Sequence, residues 1–530
     1  MKYYALLLIY FIVTIGTSFA QTTSNLPSKS VRLTVNITDD QQPDSVNLYL
    51  YDGSGDINYP DRKYNLRKSE NGKYVFVIEG IDHPVHFSLF VDKTGLSYPN
   101  FIINHFLAEP SDDVMIQMQN NPDVSRPVSY INYYHYFPYE HKLKNGKQTH
   151  YEPLFQFSGK GSEKYACRYE ADLKVLAFRS TVGIVVNKHG IFQDNNHCDS
   201  AKQAAFEIIE KYKHKLSIHA YQILQADAEA DYERERIFWF KNYMRASHPD
   251  SDTTFYGNAY RSYVSKMKKS TLSVSYEAKK RSFNFAPLAA EYYYYFKAGL
   301  FANKANININ KNVLNTYDTI KLHYNSELRD KILTAYLKLT YQTILSRSEA
   351  GMALVKEAQQ IINTSNCLTE LNDFLVAYSN GTKAYDFQLR DATGSLVKLS
   401  DYLGKVVFID YWFTGCTACA HYYKSTVSKV EKKFANNDKV VFMTICVDSN
   451  KDQWLNSIKK GIYTSSKMIN LYTDGKGYDH PACKFYQVTG APRPILVGKN
   501  GFIFSNNRVD LRQGGVEGLT RTIELALAEK

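Results

Sequence analysis

The sequence lacks the features that mark several large classes of protein. Its 530 residues include only 15 prolines, 27 glycines and seven cysteines, so it is neither a low-complexity chain nor a disulfide scaffold. No repeat of fixed period recurs along it, which disfavours a solenoid. Beyond the first twenty residues, no apolar run is long enough to span a bilayer. The composition, 44% hydrophobic and 22% charged, is that of a globular protein.

Blocks of like charge are missing as well. The formal net charge is +11, but the basic residues are interspersed with acidic ones. Such mixing is typical of a solvated surface and not of a nucleic-acid-binding tract, so we expect no nucleic-acid partner. At roughly 100–200 residues per domain, the length predicts about three domains.

The first twenty residues have the pattern of a signal peptide. Lys2 precedes an apolar stretch, and Ser18 and Ala20 form a small-x-small cleavage site before polar Gln21. The alternative is an uncleaved membrane anchor, although the stretch is short for a span of about 20 residues. No cysteine directly follows it, so a lipid anchor is not indicated. We expect residues 1–20 to be removed near Ala20, leaving a soluble, exported protein.

Hydrophobic periodicity divides the rest of the chain into three parts. Residues 30–120 contain alternating or apolar runs separated by turn signals, which predict a β-sandwich. Residues 121–380 have helical periodicity and predict a mainly helical domain. Polar residues 379–383 are typical of a linker. Residues 381–530 alternate strands and helices, which implies a multidomain chain that ends in an α/β domain with crossover connections.

Two cysteines stand two residues apart where a predicted strand meets a predicted helix. Cys416 and Cys419 follow the apolar run 406–409, and the helix is predicted from Thr417 to about Phe434. The first turn of a helix has unpaired N–H groups and the positive end of its dipole, which would lower the pKa of Cys416. The spacing brings Cys419 close enough to form or resolve a disulfide. The pattern predicts a redox-active dithiol.

Other interpretations of this pair stay open. A zinc site needs four ligands, and no second Cys-x-x-Cys accompanies the pair, although His421 is near in sequence. A c-type haem site needs a histidine directly after the second cysteine, where Ala420 stands. Two inert, buried thiols are the third alternative. We expect no metal, and no cofactor beyond the redox-active disulfide of Cys416 and Cys419.

Two longer segments carry a family resemblance. They are AYDFQLRDATGSLVKLSDYLGKVVFIDYWFTGCTAC, which starts at Ala384, and the downstream YQVTGAPRPILVGKNG. Together they resemble the thioredoxin superfamily, and specifically the exported TlpA/ResA-like thiol-disulfide oxidoreductases. The resemblance covers roughly Ala384 to Lys530. It implies a thioredoxin fold for residues 381–530, within a long multidomain protein of the kind found in Bacteroidetes-type bacteria.

The resemblance also implies roles for residues outside the pair. Pro492 occupies the position of the family's cis-proline, which faces the dithiol, and Ala491 would present its backbone to a substrate chain. Asp410 occupies the position of a buried acid beneath the second cysteine. Its pKa should be raised, and it would accept the proton of that cysteine. A strand-end acid without a redox role is the alternative. Further candidate substrate contacts are Arg493 and Trp412.

Several positions depart from related patterns. Gly415 stands where thioredoxins usually carry Trp, and Thr-Ala at 417–418 replaces the common Gly-Pro. Tyr422 occupies the position of a glutamate in ResA-like proteins, so the role of that acid is not carried over. A peroxiredoxin is disfavoured, because Ile409 and Phe413 stand where its proline and threonine are needed. These departures leave the redox potential and the direction of electron transfer open.

The other cysteines receive weaker predictions. Cys446 lies in an apolar strand and is expected to pack there. Cys483 is expected to be a buried helix cysteine, with an extra resolving thiol as the alternative. Cys167 and Cys198 can either pair in an oxidising compartment or remain thiols.

The sequence as a whole predicts a periplasmic thiol-disulfide oxidoreductase of the protein disulfide reductase type. Its substrates would be protein disulfides, and its electrons would come from a thiol-reducing membrane partner. The alternative is an exported ligand- or protein-binding module whose thioredoxin domain is structural. Residues 21–380 would serve client recognition, dimerisation or positioning of the redox domain. The pattern predicts no particular oligomeric state.

Overall fold

A computed structural model describes residues 26–529 with internal gaps, and every structural statement below concerns these residues. The gaps are 39–42, 57–58, 70, 92–99, 127–138, 143–147, 180–183, 187–191, 195–196, 246–252, 268–273 and 299–308. The predicted signal peptide, residues 1–20, lies outside the described residues. None of the helices in the described part is both long and apolar enough to cross a membrane.

The N-terminal region is a β-sandwich, as predicted, but its strands continue to Lys160, past the predicted end at residue 120. Its strands are β1 (Ser30–Thr38), β2 (Ser45–Tyr51), β3 (Arg62–Arg67), β4 (Lys73–Glu79), β5 (Val85–Val91), β6 (Asn100–Ala108), β7 (Asp113–Arg126), β8 (Tyr139–Lys142) and β9 (Gln148–Lys160). They form a five-stranded sheet in the order β4-β1-β7-β9-β8 and a four-stranded sheet in the order β3-β2-β5-β6. Along β1, Val31, Leu33 and Val35 alternate into the core between the sheets.

The middle region is mainly helical, again as predicted. Its helices are α1 (Ser162–Arg179), α2 (His197–Tyr212), α3 (Ile218–Arg245), α4 (Thr253–Met267), α5 (Tyr276–Arg281), α6 (Phe285–Tyr292), α7 (Ile309–His323), α8 (Ser326–Tyr341), α9 (Glu349–Ile361) and α10 (Ser365–Tyr378). Strands β10 (Ile184–Val186) and β11 (Phe192–Asp194) pair in an antiparallel arrangement. Tyr263, Tyr317 and Tyr336 are fully buried, so tyrosine supplies much of this core.

The C-terminal region has a seven-stranded mixed sheet in the order β13-β12-β16-β15-β14-β17-β18. The strands are β12 (Gln388–Asp391), β13 (Leu396–Lys398), β14 (Val406–Trp412), β15 (Val440–Cys446), β16 (Ile469–Tyr472), β17 (Arg493–Val497) and β18 (Ile503–Ser505). The helices are α11 (Thr417–Tyr422), α12 (Ser428–Lys433), α13 (Lys451–Lys460), α14 (Pro481–Phe485) and α15 (Gly515–Ala528). Strands β14, β15 and β16 are parallel, as crossover connections require.

Strand β14 is covered on both faces, which explains its continuous apolar sequence. Val407 and Ile409 pack into one core cluster, while Val406 and Phe408 pack into another on the opposite face. The long helix predicted from Thr417 is present but interrupted, because residues 423–427 form a π-helical turn between α11 and α12. Residues 413–416 therefore connect a buried, internal strand to a helix.

The predicted linker, residues 379–383, is bound to the edge of the C-terminal sheet. The Gly381 N–H donates to the Ile503 carbonyl oxygen at 2.7 Å, and the Ile503 N–H donates to the Thr382 carbonyl oxygen at 2.7 Å. A side-chain contact adds to these, because Asn507 Nδ2 donates to the Gln342 carbonyl oxygen at 2.8 Å. The linker is thus paired with β18, and the hydrogen bond between Asn507 and Gln342 joins the C-terminal domain to the helical domain.

Candidate active site

Cys416 and Cys419 form a disulfide at the start of α11, with their Cα atoms 5.2 Å apart. Cys416 is the N-cap of this helix, and its Sγ accepts a hydrogen bond from the Cys419 N–H at 3.0 Å. Only 4% of Cys416 and 2% of Cys419 are exposed to solvent. Among the described residues, no group of three or more metal-ligating side chains converges. The pair thus lies at the strand-to-helix junction that the sequence predicted.

The loop before β17 faces this disulfide. The Ala491–Pro492 peptide bond is cis, as predicted. Cys416 Sγ lies 3.7 Å from the Ala491 carbonyl oxygen. Ala491 is partly buried, and it packs against the cluster that contains both cysteines. The geometry brings together the dithiol and the proline loop from segments that are about 75 residues apart in sequence.

Two residues outside the motif fix the turn that precedes Cys416. Thr414 donates its N–H to Asp448 Oδ1 at 2.9 Å and its hydroxyl to Asp448 Oδ2 at 2.6 Å. The Gly415 N–H donates to the Tyr463 hydroxyl at 2.8 Å. Gly415 has a φ of +92°, which explains glycine at a position where thioredoxins usually carry Trp.

The sequence analysis missed Asp448 and Tyr463. Asp448 follows β15, and the carboxyl ends of the parallel strands β14 and β15 meet at the same edge of the sheet. That adjacency is a signal by which the acid could have been found. Tyr463 lies after α13 and carries no comparable signal, because only the folded chain brings its hydroxyl to Gly415.

Asp410 is buried in β14, and its environment fits the predicted acid. Its exposed fraction is 5%, and among the described residues Oδ1 has no hydrogen-bond partner. Burial raises the pKa of Asp410 to about 8, and the positive charge of Arg512 acts in the opposite direction. The carboxyl group can therefore hold a proton near neutral pH. Its transfer to or from Cys419 remains a prediction.

Tyr422, at the position of the family's glutamate, has a packing role. Its hydroxyl donates to the Leu511 carbonyl oxygen at 2.6 Å, which ties α11 to the π-helical turn of residues 509–513. Burial and the nearby Asp410 raise the pKa of Tyr422 well above its usual range. The side chain is thus a neutral anchor beneath the site.

Trp412 is not available to a substrate in this structure. Its side chain is fully buried, and it stacks on Tyr463 with ring centroids 4.9 Å apart and an interplanar angle of 15°. The expectation of direct substrate contact is corrected by this burial. The ring instead supports Tyr463, which in turn holds Gly415.

Arg493 also differs from its expected role, because its side chain contacts Asn506, Tyr486 and Tyr378. Nη1 donates to the Asn506 carbonyl oxygen at 3.1 Å, and Nη2 donates to the Tyr486 carbonyl oxygen at 3.5 Å. The guanidinium carbon lies 4.2 Å from the centre of the Tyr378 ring in the helical domain. These contacts correct the expectation that Arg493 binds substrate. Arg493 instead joins the start of β17 to the helical domain, a structural role that the sequence did not indicate.

The five other cysteines are buried thiols. Cys167 and Cys198 therefore do not pair with each other. Burial raises the pKa of Cys167 and of Cys483 to about 12, and that of Cys446 well above its usual range. A raised pKa leaves little thiolate, so these side chains have the properties of packing groups.

Residues 404–503 match the family model described as thioredoxin-like. No curated protein sequence is significantly similar to the chain.

Solved structures that are similar to the chain come from bacteria. One is the thioredoxin domain of a thiol-disulfide oxidoreductase from Bacteroides vulgatus, at 23% identity and a TM-score of 0.24, covering 28% of this chain and 98% of that one. A second is described as a thiol:disulfide interchange protein, DsbE, from Chlorobium tepidum, at 25% identity and a TM-score of 0.23, covering 28% and 99%. A third, described as a thiol-disulfide oxidoreductase from Bacteroides vulgatus, has 29% identity and a TM-score of 0.24, covering 29% and 94%.

Proposed function

Because the C-terminal region is a thioredoxin-like domain with a Cys416–Cys419 disulfide, we propose that this protein is a periplasmic thiol-disulfide oxidoreductase that reduces protein disulfides. The observation that carries the proposal is the position of this disulfide, at the start of a helix and opposite the cis Ala491–Pro492 bond. In the proposal, that placement would stabilise the thiolate form of Cys416 and provide a backbone partner for a substrate chain.

The proposed reaction begins with the reduced dithiol. The Cys416 thiolate attacks one sulfur of the substrate disulfide, and the other substrate sulfur leaves as a thiolate that takes up a proton. Cys419 then loses its proton and attacks Cys416, which releases the second substrate thiol. The substrate gains two electrons and two protons, and the protein is left with its Cys416–Cys419 disulfide.

Two groups assist these steps in the proposal. The Cys419 N–H, which donates to Cys416 Sγ at 3.0 Å, would stabilise the attacking thiolate. Asp410, whose pKa burial raises to about 8, would accept the proton of Cys419 during resolution in those molecules in which its carboxyl group is ionised. The Ala491 backbone would pair with the substrate chain and hold its disulfide in line with Cys416.

The remaining parts of the proposal follow from the reaction and the sequence. The oxidised pair must be reduced after each turnover, and a thiol-reducing membrane protein is the proposed electron donor. The N-terminal pattern of residues 1–20 favours export to the periplasm, where protein disulfides occur. The sandwich and the helical domain are proposed to position the client protein.

Trapping of the intermediate tests this proposal directly. Cys419→Ser leaves Cys416 able to attack a substrate but removes the thiol that resolves the mixed disulfide. We expect this variant to accumulate mixed disulfides with client proteins that contain a disulfide. These adducts should be visible on non-reducing gels and should disappear on reduction. The double variant with Cys416→Ser is the control. If neither variant forms adducts, the binding-module alternative takes the place of the enzyme.

A further inference from the structure

We propose that Tyr378, in the helical domain, is a positioning residue for the active-site loop that carries cis-Pro492. The inference rests on the proposed function and deepens it, because it makes the helical domain part of the support of the redox site. Tyr378 is the last residue of α10, and it contacts the loop through Arg493, the residue next to Pro492.

The Arg493 guanidinium has three contacts that together fix its position. Its carbon lies 4.2 Å from the centre of the Tyr378 ring, a distance at which a cation is attracted by the aromatic face. Its two terminal nitrogens donate to the carbonyl oxygens of Asn506 and Tyr486. The Tyr378 ring is itself held by stacking on Phe374, with centroids 4.4 Å apart. The ring therefore offers a fixed surface to the guanidinium.

A second route joins the same two elements. Asn506 is almost fully buried, and its Nδ2 donates to the Ala377 carbonyl oxygen at 2.7 Å. Its own carbonyl oxygen accepts the hydrogen bond from Arg493. The end of α10 and the start of β17 are thus linked through both Tyr378 and Ala377. Such a closed set of contacts restrains the loop more than either contact alone.

The restraint acts directly beside the reactive centre. Arg493 is the first residue of β17, and its backbone pairs with Tyr411 in the central strand β14. Pro492 and Ala491 come immediately before it, and the Ala491 carbonyl oxygen lies 3.7 Å from Cys416 Sγ. Loss of the Tyr378 contact would therefore loosen a backbone segment two residues from the atom proposed to receive the substrate chain.

The interface supplies a matched control. Arg347 of the helical domain forms an ion pair with Asp510 of the C-terminal domain, at 2.9 Å, and both side chains are more than 40% exposed. This pair joins the same two domains but does not contact the proline loop. A variant at Arg347 thus weakens domain contact without touching the loop.

The inference predicts an effect that depends on the kind of disulfide substrate. A polypeptide must pair with the proline loop, whereas a small disulfide needs only access to Cys416. In Tyr378→Leu we expect the KM for insulin, with dithiothreitol as electron donor, to rise about fivefold, the factor that one cation–π contact contributes. We expect kcat, and the rate with glutathione disulfide, to stay within about twofold of the unmodified protein.

The experiment compares Tyr378→Leu, Tyr378→Phe and Arg347→Ala in the full chain. Tyr378→Phe keeps the aromatic face, so it should restore the KM for insulin. Hydrogen exchange, read by mass spectrometry, should be faster in peptides covering residues 488–495 of Tyr378→Leu only. Equal behaviour of Tyr378→Leu and Arg347→Ala in both measurements would overturn the inference, as would an equal loss with both substrates.

Failure of the proposed function has a different signature. If the unmodified protein does not reduce insulin at all, the reductase proposal fails. Hydrogen exchange of residues 488–495 then still decides whether Tyr378 holds the loop. Unchanged exchange in Tyr378→Leu would overturn the positioning role, and faster exchange would support it.

Discussion

Buried acids have different hydrogen-bond partners in the helical domain and in the thioredoxin-like domain. At the contact between the sandwich and the helical domain, Glu370 is 1% exposed and accepts hydrogen bonds from Lys338 at 2.6 Å and from the Ser54 hydroxyl. In the thioredoxin-like domain, Asp410 is nearly as buried, but its Oδ1 has no hydrogen-bond partner among the described residues. The first acid is paired with a lysine of its own domain and contacts the sandwich through Ser54, whereas the raised pKa of the second lets it hold a proton near neutral pH.

The thiols show the same contrast. Cys367 of the helical domain is fully buried, and burial raises its pKa above the usual range. Cys416 instead starts a helix, accepts a hydrogen bond from the Cys419 N–H and lies 3.7 Å from the Ala491 carbonyl oxygen. The comparison teaches that burial alone does not mark a functional group in this protein. At Asp410 one carboxylate oxygen, Oδ1, has no hydrogen-bond partner among the described residues, whereas Glu370 is paired with Lys338.

The largest effect is expected from breaking the reactive pair itself. Cys416→Ser should abolish the reduction of insulin, because a serine hydroxyl cannot form the mixed disulfide. The matched control is Cys367→Ala, which removes a thiol that has no part in the reaction and should retain full activity. Activity that survives Cys416→Ser would show that the two kinds of cysteine do not differ as described.

The next largest effect is expected from breaking the buried pair of Glu370 and Lys338. Burial works against the charged form of Lys338, yet Glu370 and Asp56 raise its pKa above the usual value. Lys338→Met should therefore lower the free energy of unfolding by about 3–5 kcal/mol, because it leaves a buried carboxylate without its cation. Urea unfolding followed by circular dichroism measures this change. Reductase activity at 25 °C should persist, and a stability change below about 1 kcal/mol would contradict the account.

The raised pKa of Asp410 predicts that the free energy of unfolding changes with pH. The pKa of Asp410 is 3.8 in an unfolded chain and about 8 in the folded protein. Below pH 4 both states hold the proton. Between pH 4 and pH 8 the folded state keeps a proton that the unfolded chain has released, so stability falls as pH rises. Relative to Asp410→Asn, the free energy of unfolding should fall by about 1.4 kcal/mol per pH unit in this window.

Tryptophan fluorescence can follow that unfolding. Of the three tryptophans, Trp412 and Trp454 both lie in the thioredoxin-like domain, so a Trp239→Phe background reports this domain alone. If the free energy of unfolding had the same dependence on pH with and without Asp410→Asn, the folded protein would not raise the pKa of Asp410. The contrast between Asp410 and the paired acid of the helical domain would then fail.

The smallest effect is expected from the exposed ion pair between Arg347 and Asp510. Because both side chains are more than 40% exposed, solvent screens their attraction. Arg347→Ala should change the free energy of unfolding by less than about 1 kcal/mol. Thermal melts at low and high salt measure this, with Lys338→Met as the reference for a buried pair. A loss as large as that of Lys338→Met would remove the distinction between buried and exposed charges.

The sequence predicted the parts of the site that depend on local order. The apolar run of β14 and the helix after it placed Cys416 and Cys419 at a junction, and the proline loop was found from its motif. The directions of Trp412 and Arg493 were not predicted, because they depend on partners 51 and 115 residues away, Tyr463 and Tyr378. Periodicity shows which face of a strand is apolar but not which distant ring will cover it.

The same limit applies to domain packing. Residues 379–383 have the composition of a flexible linker, yet their backbone pairs with β18. Backbone pairing at a sheet edge is nearly independent of side chains, so composition does not reveal it. The sandwich and the helical domain were predicted as classes of fold. Their contact, in which Glu370 accepts hydrogen bonds from Ser54 and Lys338, joins residues of three distant segments, a pattern that a single sequence does not show.

The reduction potential of the Cys416–Cys419 pair tests the central claim most directly. Equilibration of the full chain with dithiothreitol or glutathione buffers, with each cysteine read by mass spectrometry, gives this value. The account predicts a potential near that of thioredoxin, about −270 mV, as a protein disulfide reductase needs. A value near −120 mV, typical of an oxidant, or a pair that never cycles between disulfide and dithiol, would contradict it.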